Sequence, residues 1–245
     1  MTTTTIPSRG PDLYACRFSD TTLVVDYRTG LVRLFCTERE REQVGAGSPD
    51  PDDLLTDRLR EALGRRSSDT LFVRVVPGDP AALSFGADES EAGLPAVEGV
   101  YPTPVEVVAS ATALAAVLLL KALGHRAQTM RRLTTLLSGV GLLPLPAATL
   151  SEAERSVLNI RRMGRWFPGR VACLEESVAT TVALALLGRS VTWCHGGASD
   201  PVRLHAWVQV RSCGTGVAAA EPESTSRYTI LRTIPEHLDH PRSAT

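Results

Sequence analysis

Two residues with the chemistry of a nucleophile and a base, Cys173 and His205, lie 32 positions apart in the C-terminal half of the chain. Cys173 follows the turn-forming pair Pro168-Gly169 and opens a run with apolar residues at helical spacing, namely Leu174, Val178, Val182 and Ala185. The pattern predicts a thiol at or near a helix N-terminus. There the helix dipole favours the thiolate, and unpaired N–H groups can hold the oxyanion formed when it attacks a carbonyl.

His205 opens a segment in which Ala206, Val208 and Val210 alternate with other residues, a pattern that predicts a strand. A cysteine at a helix start facing a histidine on a neighbouring strand can carry out nucleophilic acyl chemistry. The imidazole takes the thiol proton and later delivers a proton to the leaving amine. A lone cysteine in an apolar helix is more often a buried small side chain, so the pairing with His205 favours the catalytic interpretation of Cys173.

The combined motifs resemble those of the leader peptidases of lasso-peptide biosynthesis, which are cysteine proteases built like transglutaminases. The matching positions are Pro168, Cys173 to Ser177, Leu186 to Arg189 and His205 to Val208, and the resemblance covers roughly residues 133–235. It implies an α+β fold in which helices pack on a short antiparallel sheet, with Cys173 as the nucleophile and His205 as the base.

The resemblance also implies a role, a location and partners. The enzyme would be a cytoplasmic peptidase that removes the leader from a ribosomally made precursor peptide. A partner cyclase resembling asparagine synthetase would then join the freed amine to an acidic side chain. Some members of the family are associated with ATP, but the sequence has no nucleotide-binding motif. ATP is therefore expected by analogy alone, and no metal or other cofactor is expected.

The third catalytic residue departs from the family pattern. An Asp is usual about a dozen residues after the histidine, yet position 217 is Val. If the hairpin turn spans Ser212 to Gly216, the first carboxylate on the following strand is Glu221, and Glu223 is the second candidate. A glutamate can hold the imidazole Nδ1–H as an aspartate does, but its backbone must lie one methylene further away.

Two other functions fit the same residues. An acyltransferase or transglutaminase would use the same cysteine–histidine pair but pass the acyl group to an amine, and access of water or an acceptor decides between the two. A non-catalytic precursor-binding module would have lost its site together with the usual Asp. The intact Cys173 and His205 argue against that loss.

Composition narrows the class of protein. The 245 residues are 43% hydrophobic, enough for a substantial core, and the formal charge of −1 favours neither nucleic acid nor an anionic membrane as a partner. The odd number of cysteines has no paired spacing, which favours reducing cytosol. The N-terminus lacks the apolar core of a signal peptide. Ala111 to Leu120 is apolar but too short to span a bilayer, and it is predicted to be a buried helix.

The pattern divides the chain into a polar tail (1–11), a small β-rich domain (12–80), a linker (81–103) and the protease domain (104–245). The small domain is predicted to contain a hairpin of strands 22–26 and 31–35, a helix at 53–65 and a strand at 70–76. It is loosely similar to winged-helix domains that recognise precursor peptides. It would bind the leader along an exposed strand edge, or else only pack against the protease.

In the protease domain, the pattern predicts a helix at 104–124 and, after the basic segment 126–132, a leucine-rich helix that continues through Leu137. A third helix is predicted from Ser151 to about Gly164, with a capping box of Ser151 and Glu154. The Cys173 helix and strands at 191–193, at His205 and at 228–231 follow.

Several residues near the two catalytic candidates have weaker assignments. Glu175 and Glu176 are expected to stabilise the helix or to grip Arg165 or Arg170, and Trp207 is expected to pack near the site or to form a substrate wall. Cys194-His195 is not expected to bind a metal, since neighbouring strand residues point to opposite faces. Two short segments are expected to form a loop that lines the cleft, Gly196-Gly197 and Asp200-Pro201.

Overall fold

The computed structural model describes residues 12–18, 21–36, 73–77, 102–167, 170–199, 202–212, 216–221 and 225–235. The predicted tail, the helix at 53–65 and nearly all of the linker lie outside these residues. The domain boundaries therefore stay predictions, as does the similarity to a winged-helix domain.

The N-terminal sheet has four described strands in the order β3-β2-β1-β4, with bounds β1 Leu13–Arg17, β2 Thr21–Asp26, β3 Leu31–Cys36 and β4 Val73–Pro77. β1 and β3 pair antiparallel with β2, and β4 pairs parallel with β1. The predicted hairpin is confirmed. Gly30 in its turn has a φ of +72°, a conformation that glycine adopts without steric cost. The strand expected at 70–76 is described over 73–77.

Four helices follow, α1 Pro104–Ala122, α2 Thr129–Gly141, α3 Leu150–Gly164 and α4 Cys173–Leu186, with a 3₁₀ turn over Arg126–Gln128 before α2. Two of them begin with a capping box, formed by Thr103 and Glu106 in α1 and by Thr149 and Glu152 in α3.

The predicted cap of α3 was wrong by two residues. Thr149 is the N-cap, and its hydroxyl accepts the Glu152 N–H at 3.3 Å while the Glu152 carboxylate accepts the Thr149 N–H at 2.8 Å. Thr149 to Glu152 and Ser151 to Glu154 fit the same sequence pattern. In the structure the helix is capped by the earlier pair, Thr149 and Glu152, so it is about half a turn longer than predicted.

Helix α1 is buried on one face only, a correction to the predicted buried helix. Ala113, Leu114 and Val117 lie in the core, whereas Val105 and Val108 are exposed. The helix has 19 residues and a mean hydropathy of 1.9, so among the described helices it alone is long and apolar enough to cross a membrane. Only 28% of the apolar segment of this helix is buried inside the protein. Length and composition alone do not distinguish such a helix from a core helix.

The C-terminal sheet is antiparallel, with the order β7-β6-β5-β8 and the bounds β5 Thr192–Ser199, β6 Val202–Ser212, β7 Gly216–Ala219 and β8 Thr229–Ile234. The architecture is thus a mix of helices and mainly antiparallel sheets, in agreement with the predicted class. Gly196 and Gly197 lie inside β5 and not in a loop. A Cβ at Gly196 would lie 2.7 Å from the Thr229 carbonyl oxygen, so the strand crosses there only with glycine.

One hydrophobic cluster joins the two sheets and the helices. It contains Tyr14 and Leu23 from the N-terminal strands, Leu114 from α1, and Trp193 and Leu231 from the C-terminal sheet. The described N-terminal strands are therefore built into the same core as the helices.

A buried polar contact crosses between the sheets. Tyr27 Oη and His195 Nδ1 are hydrogen-bonded at 2.5 Å, and the Arg232 guanidinium lies 4.7 Å from the Tyr27 ring centroid. Burial, with smaller contributions from the positive charges of His205 and Arg232, lowers the pKa of His195 to about 3. His195 is therefore a neutral ring at neutral pH.

The buried neutral His195 should make the fold acid-sensitive. The unfolded chain binds a proton at this ring below pH 6.5 and the folded chain does so only near pH 3, so stability is lost as pH falls between these values. From pH 8 to pH 5, wild type should lose about 2 kcal/mol more unfolding free energy than His195→Gln. Urea unfolding at both pH values measures this. A difference between the two proteins that does not change with pH would contradict the assignment.

Candidate functional site

Helix α4 begins at Cys173, so the thiol stands on the first helical residue. The N-cap, Ala172, has no side chain able to cap the helix, and Glu175 supplies the missing interaction by accepting the Ala172 N–H at 3.0 Å. Glu175 is itself buried and ion-paired with Lys121 of α1. The backbone N–H groups of the first turn, including that of Cys173, have no partner within the helix and are available to an oxyanion.

His205 is the fourth residue of β6, and the Cys173 thiol lies close enough to raise the pKa of the His205 ring through a hydrogen bond. Trp207, two residues further on the same face of the strand, lies with its ring 5.8 Å from the His205 ring at an interplanar angle of 12°. Trp207 is only 1% exposed, so its expected packing role holds and it does not form a substrate wall. The structure thus brings together the two residues that the motif predicted as nucleophile and base.

Glu221 stands two residues after the end of β7, with Oε2 at 3.0 Å from Nε2 of His205. Its side chain is 3% exposed. The expected contact to Nδ1 is wrong, because the carboxylate approaches the other ring nitrogen. This geometry leaves Nδ1 as the ring nitrogen for the thiol. Glu223, the second candidate, lies outside the described residues.

Two opposing effects set the charge of His205. Burial alone would lower its pKa, but hydrogen bonds with Cys173 and Glu221, and the negative charges of both groups, raise the pKa to about 9. At neutral pH the ring is therefore an imidazolium. An imidazolium beside the Cys173 thiol is the form of the ring that can donate a proton to a leaving amine.

Arg161 of α3 holds the carboxylates behind the site. It contacts Glu221 at 3.5 Å and Glu176 of α4 at 3.1 Å. The expectation that Glu175 or Glu176 grips Arg165 or Arg170 is corrected, because their partners are Lys121 and Arg161. The reason is tertiary, since α1 and α3 pack beside α4.

Sequence reasoning missed Tyr228, whose ring lies 5.0 Å from that of His205 and 6.0 Å from that of Trp207. The sequence pattern predicts Tyr228 only as the start of the last strand. Its position follows from the pairing of β8 with β5, which no local pattern reveals. The ion pair of Lys121 with Glu175 was also missed, although the sequence contains a signal for it. Lys121 is the only lysine in the chain and stands at the end of an apolar helix, where a charge favours a nearby carboxylate.

Cys194 and His195 are buried residues of β5 that belong to the packing of the fold. Burial raises the pKa of the Cys194 thiol to about 12, and His195 is bound to Tyr27. Within the described ranges, no three His, Cys, Asp or Glu side chains are close enough to hold a metal ion. The cysteines described there, Cys16, Cys173 and Cys194, are free thiols.

Residues 116–233 match the family described as the Transglutaminase-like superfamily. The matched segment contains Cys173, His205 and Glu221, and this region of the chain is a transglutaminase-like domain. Neither the curated proteins nor the solved structures give a match. The domain class is consistent with cysteine peptidase or transglutaminase chemistry.

The charge of His205 should depend on Glu221. In wild type the ring should titrate near pH 9, and Glu221→Gln should lower that pKa by removing a buried negative charge. NMR titration of the histidine Cε1–H resonances measures both values. Because the folded pKa is raised, the stability contributed by His205 is complete below pH 6.5 and is lost as pH rises through 9.

Glu223→Gln is the matched control and should leave the titration unchanged. If Glu223→Gln lowers the pKa and Glu221→Gln does not, the carboxylate partner of His205 has been assigned to the wrong residue.

Proposed function

We propose that this protein is a cysteine peptidase that removes the leader from a ribosomally made lasso-peptide precursor. The observation that supports catalysis is the chain of contacts from the Cys173 thiol through the His205 ring to the buried Glu221 carboxylate. The motifs around Cys173 and His205, which resemble those of lasso leader peptidases, support the choice of substrate.

In the first half of the reaction, Sγ of Cys173 attacks the carbonyl carbon at the leader–core junction. The oxyanion forms beside the free N–H groups at the start of α4. His205 then gives its proton to the leaving amine, the C–N bond breaks, and the leader remains as a thioester on Cys173. Glu221 stabilises the imidazolium before this transfer and orients the ring throughout.

In the second half, neutral His205 takes a proton from water, which attacks the thioester carbonyl. The C–S bond breaks, the leader leaves as a carboxylic acid and the thiolate–imidazolium pair is restored. The freed core amine becomes the nucleophile that a partner cyclase, similar to asparagine synthetase, joins to an acidic side chain. We assign any ATP requirement to that cyclase, because acyl transfer through a thioester consumes none. The free thiols support a cytoplasmic setting.

The N-terminal sheet is our candidate for leader binding. Among the described strands, β3 has β2 as its one neighbour, and its Leu31, Val32 and Leu34 side chains are exposed. An extended leader could add to this edge, where backbone hydrogen bonds tolerate varied sequences and the exposed apolar side chains add contacts.

The catalytic proposal is tested by mass spectrometry of the precursor encoded nearest this gene, incubated with purified protein with and without its neighbouring cyclase. Wild type should produce a discrete leader fragment and Cys173→Ala none, because only Sγ can form the thioester. Cys194→Ala is the control and should retain cleavage, since that thiol is buried and away from the reaction.

Other products would decide against a peptidase. A leader joined to an added amine such as hydroxylamine, with little hydrolysis when water is the only acceptor, would show an acyltransferase. An intact precursor that still binds the protein would show a binding module.

Leader binding through β3 predicts that Leu34→Glu weakens the affinity for a synthetic leader peptide at least about tenfold, or 1.4 kcal/mol. Fluorescence anisotropy of the labelled peptide measures this. Leu142→Glu, at an exposed leucine directly after α2, is the control. Equal affinity in all three proteins would place the leader elsewhere.

A further inference from the structure

A second concave site lies at the end of α4 opposite Cys173. A pocket of about 200 Å³ opens between the starts of α1 and α3 and the end of α4. Leu184 in its wall is 11 residues from Cys173 along the helix, which at 1.5 Å per residue is about 16 Å. The pocket is therefore separate from the candidate catalytic site.

Two ion pairs stand at its rim. Arg155 Nε donates to Glu106 at 3.3 Å, and Arg189 Nε donates to Glu152 at 3.0 Å. Each carboxylate also accepts the N–H of its helix N-cap at 2.8 Å, and these backbone hydrogen bonds first, then the arginines, lower the pKa of both glutamates. The acceptors are thus already occupied. The terminal guanidinium nitrogens of both arginines have no partner among the described residues.

Two buried polar side chains in the pocket wall also lack partners. Ser156 and Asn159, on one face of α3, are 4% and 3% exposed. Ser156 Oγ and Asn159 Nδ2 have no hydrogen bond within the described part of the chain. Buried polar atoms in folded proteins are nearly always hydrogen-bonded, so two unpaired ones in the wall of one pocket indicate that a bound group completes them. Most of the polar atoms in the pocket that lack a partner are therefore hydrogen-bond donors, so the pocket suits a ligand that accepts hydrogen bonds.

We propose that this pocket binds a carboxylate carried on a short apolar stem. Arg155 and Arg189 present planar donor forks that match a carboxylate, and Asn159 adds a third donor from the wall. Leu184 and Leu187 provide an apolar surface for the stem. The same chemistry is found in a free short-chain acid and in the C-terminus of a peptide, and the experiment distinguishes these sources.

The proposal is independent of the peptidase function, so it is tested on Cys173→Ala protein. Isothermal titration with sodium butyrate should show saturable binding, whereas butyramide, which has the same stem but no charge, should bind at least tenfold more weakly. Arg155→Ala and Arg189→Ala should each weaken butyrate binding at least tenfold. Arg162→Ala is the control and should bind as the parent does, because Arg162 is an exposed arginine of α3 outside the pocket.

The source is resolved with acetyl-Ala-Ala-Leu carrying a free C-terminus and the same peptide as its amide. Tighter binding of the free-acid peptide than of butyrate assigns the pocket to a peptide terminus. Tighter binding of butyrate assigns it to a free acid. Butyrate and butyramide binding equally, or neither binding, would overturn the proposal.

Location is tested separately from folding. In NMR spectra of the parent protein, the side-chain amide of Asn159 should shift with the same saturation curve as the calorimetry. If Arg155→Ala does not fold, Arg189→Gln at the more exposed rim position gives the comparison. Binding with no change at Asn159, or undiminished in a folded rim variant, would place the ligand elsewhere.

Discussion

The buried contact between His205 and Glu221 is the interaction on which the candidate site depends. Burial alone would leave the imidazole neutral, and a carboxylate with 3% exposure would be costly without a partner. Together the two groups stabilise each other's charge, so the ring can stay protonated beside the thiol. Arg161 extends the arrangement to Glu176, which ties helix α4 to the carboxylate that contacts His205.

Helix α4 organises the rest of the domain. Its first residue carries the thiol, its middle packs through Val178 and Ala179 into the shared core, and its end forms one wall of the second pocket. A tightly packed helix holds its ends in a constant relation, because a shift at one end would open cavities along its length. The Lys121 and Glu175 ion pair fixes the N-terminal end from the side of α1.

The described N-terminal strands contribute to this core from the other side. Leu23 lies close to Gly197, where a Cβ would approach its side chain to 2.5 Å, and Tyr27 reaches His195 in β5. The N-terminal region therefore supports the strand that pairs with the His205 strand. Among the described strands, β3 is an edge of that sheet, and its Leu31, Val32 and Leu34 side chains remain exposed.

The sequence by itself determined what local physics controls. Apolar spacing after a Pro-Gly turn put Cys173 at a helix start, alternation put His205 on a strand, and hairpin length pointed to Glu221. The structure decided what depends on distant residues. It placed the α3 cap at Thr149 although two patterns fitted equally, required glycine at Gly196 because the Thr229 carbonyl approaches, and placed Tyr228 beside His205 through the pairing of β8 with β5. Which imidazole nitrogen meets the carboxylate depends on how the His205 and Glu221 side chains are placed relative to each other in the fold, which no local pattern reveals.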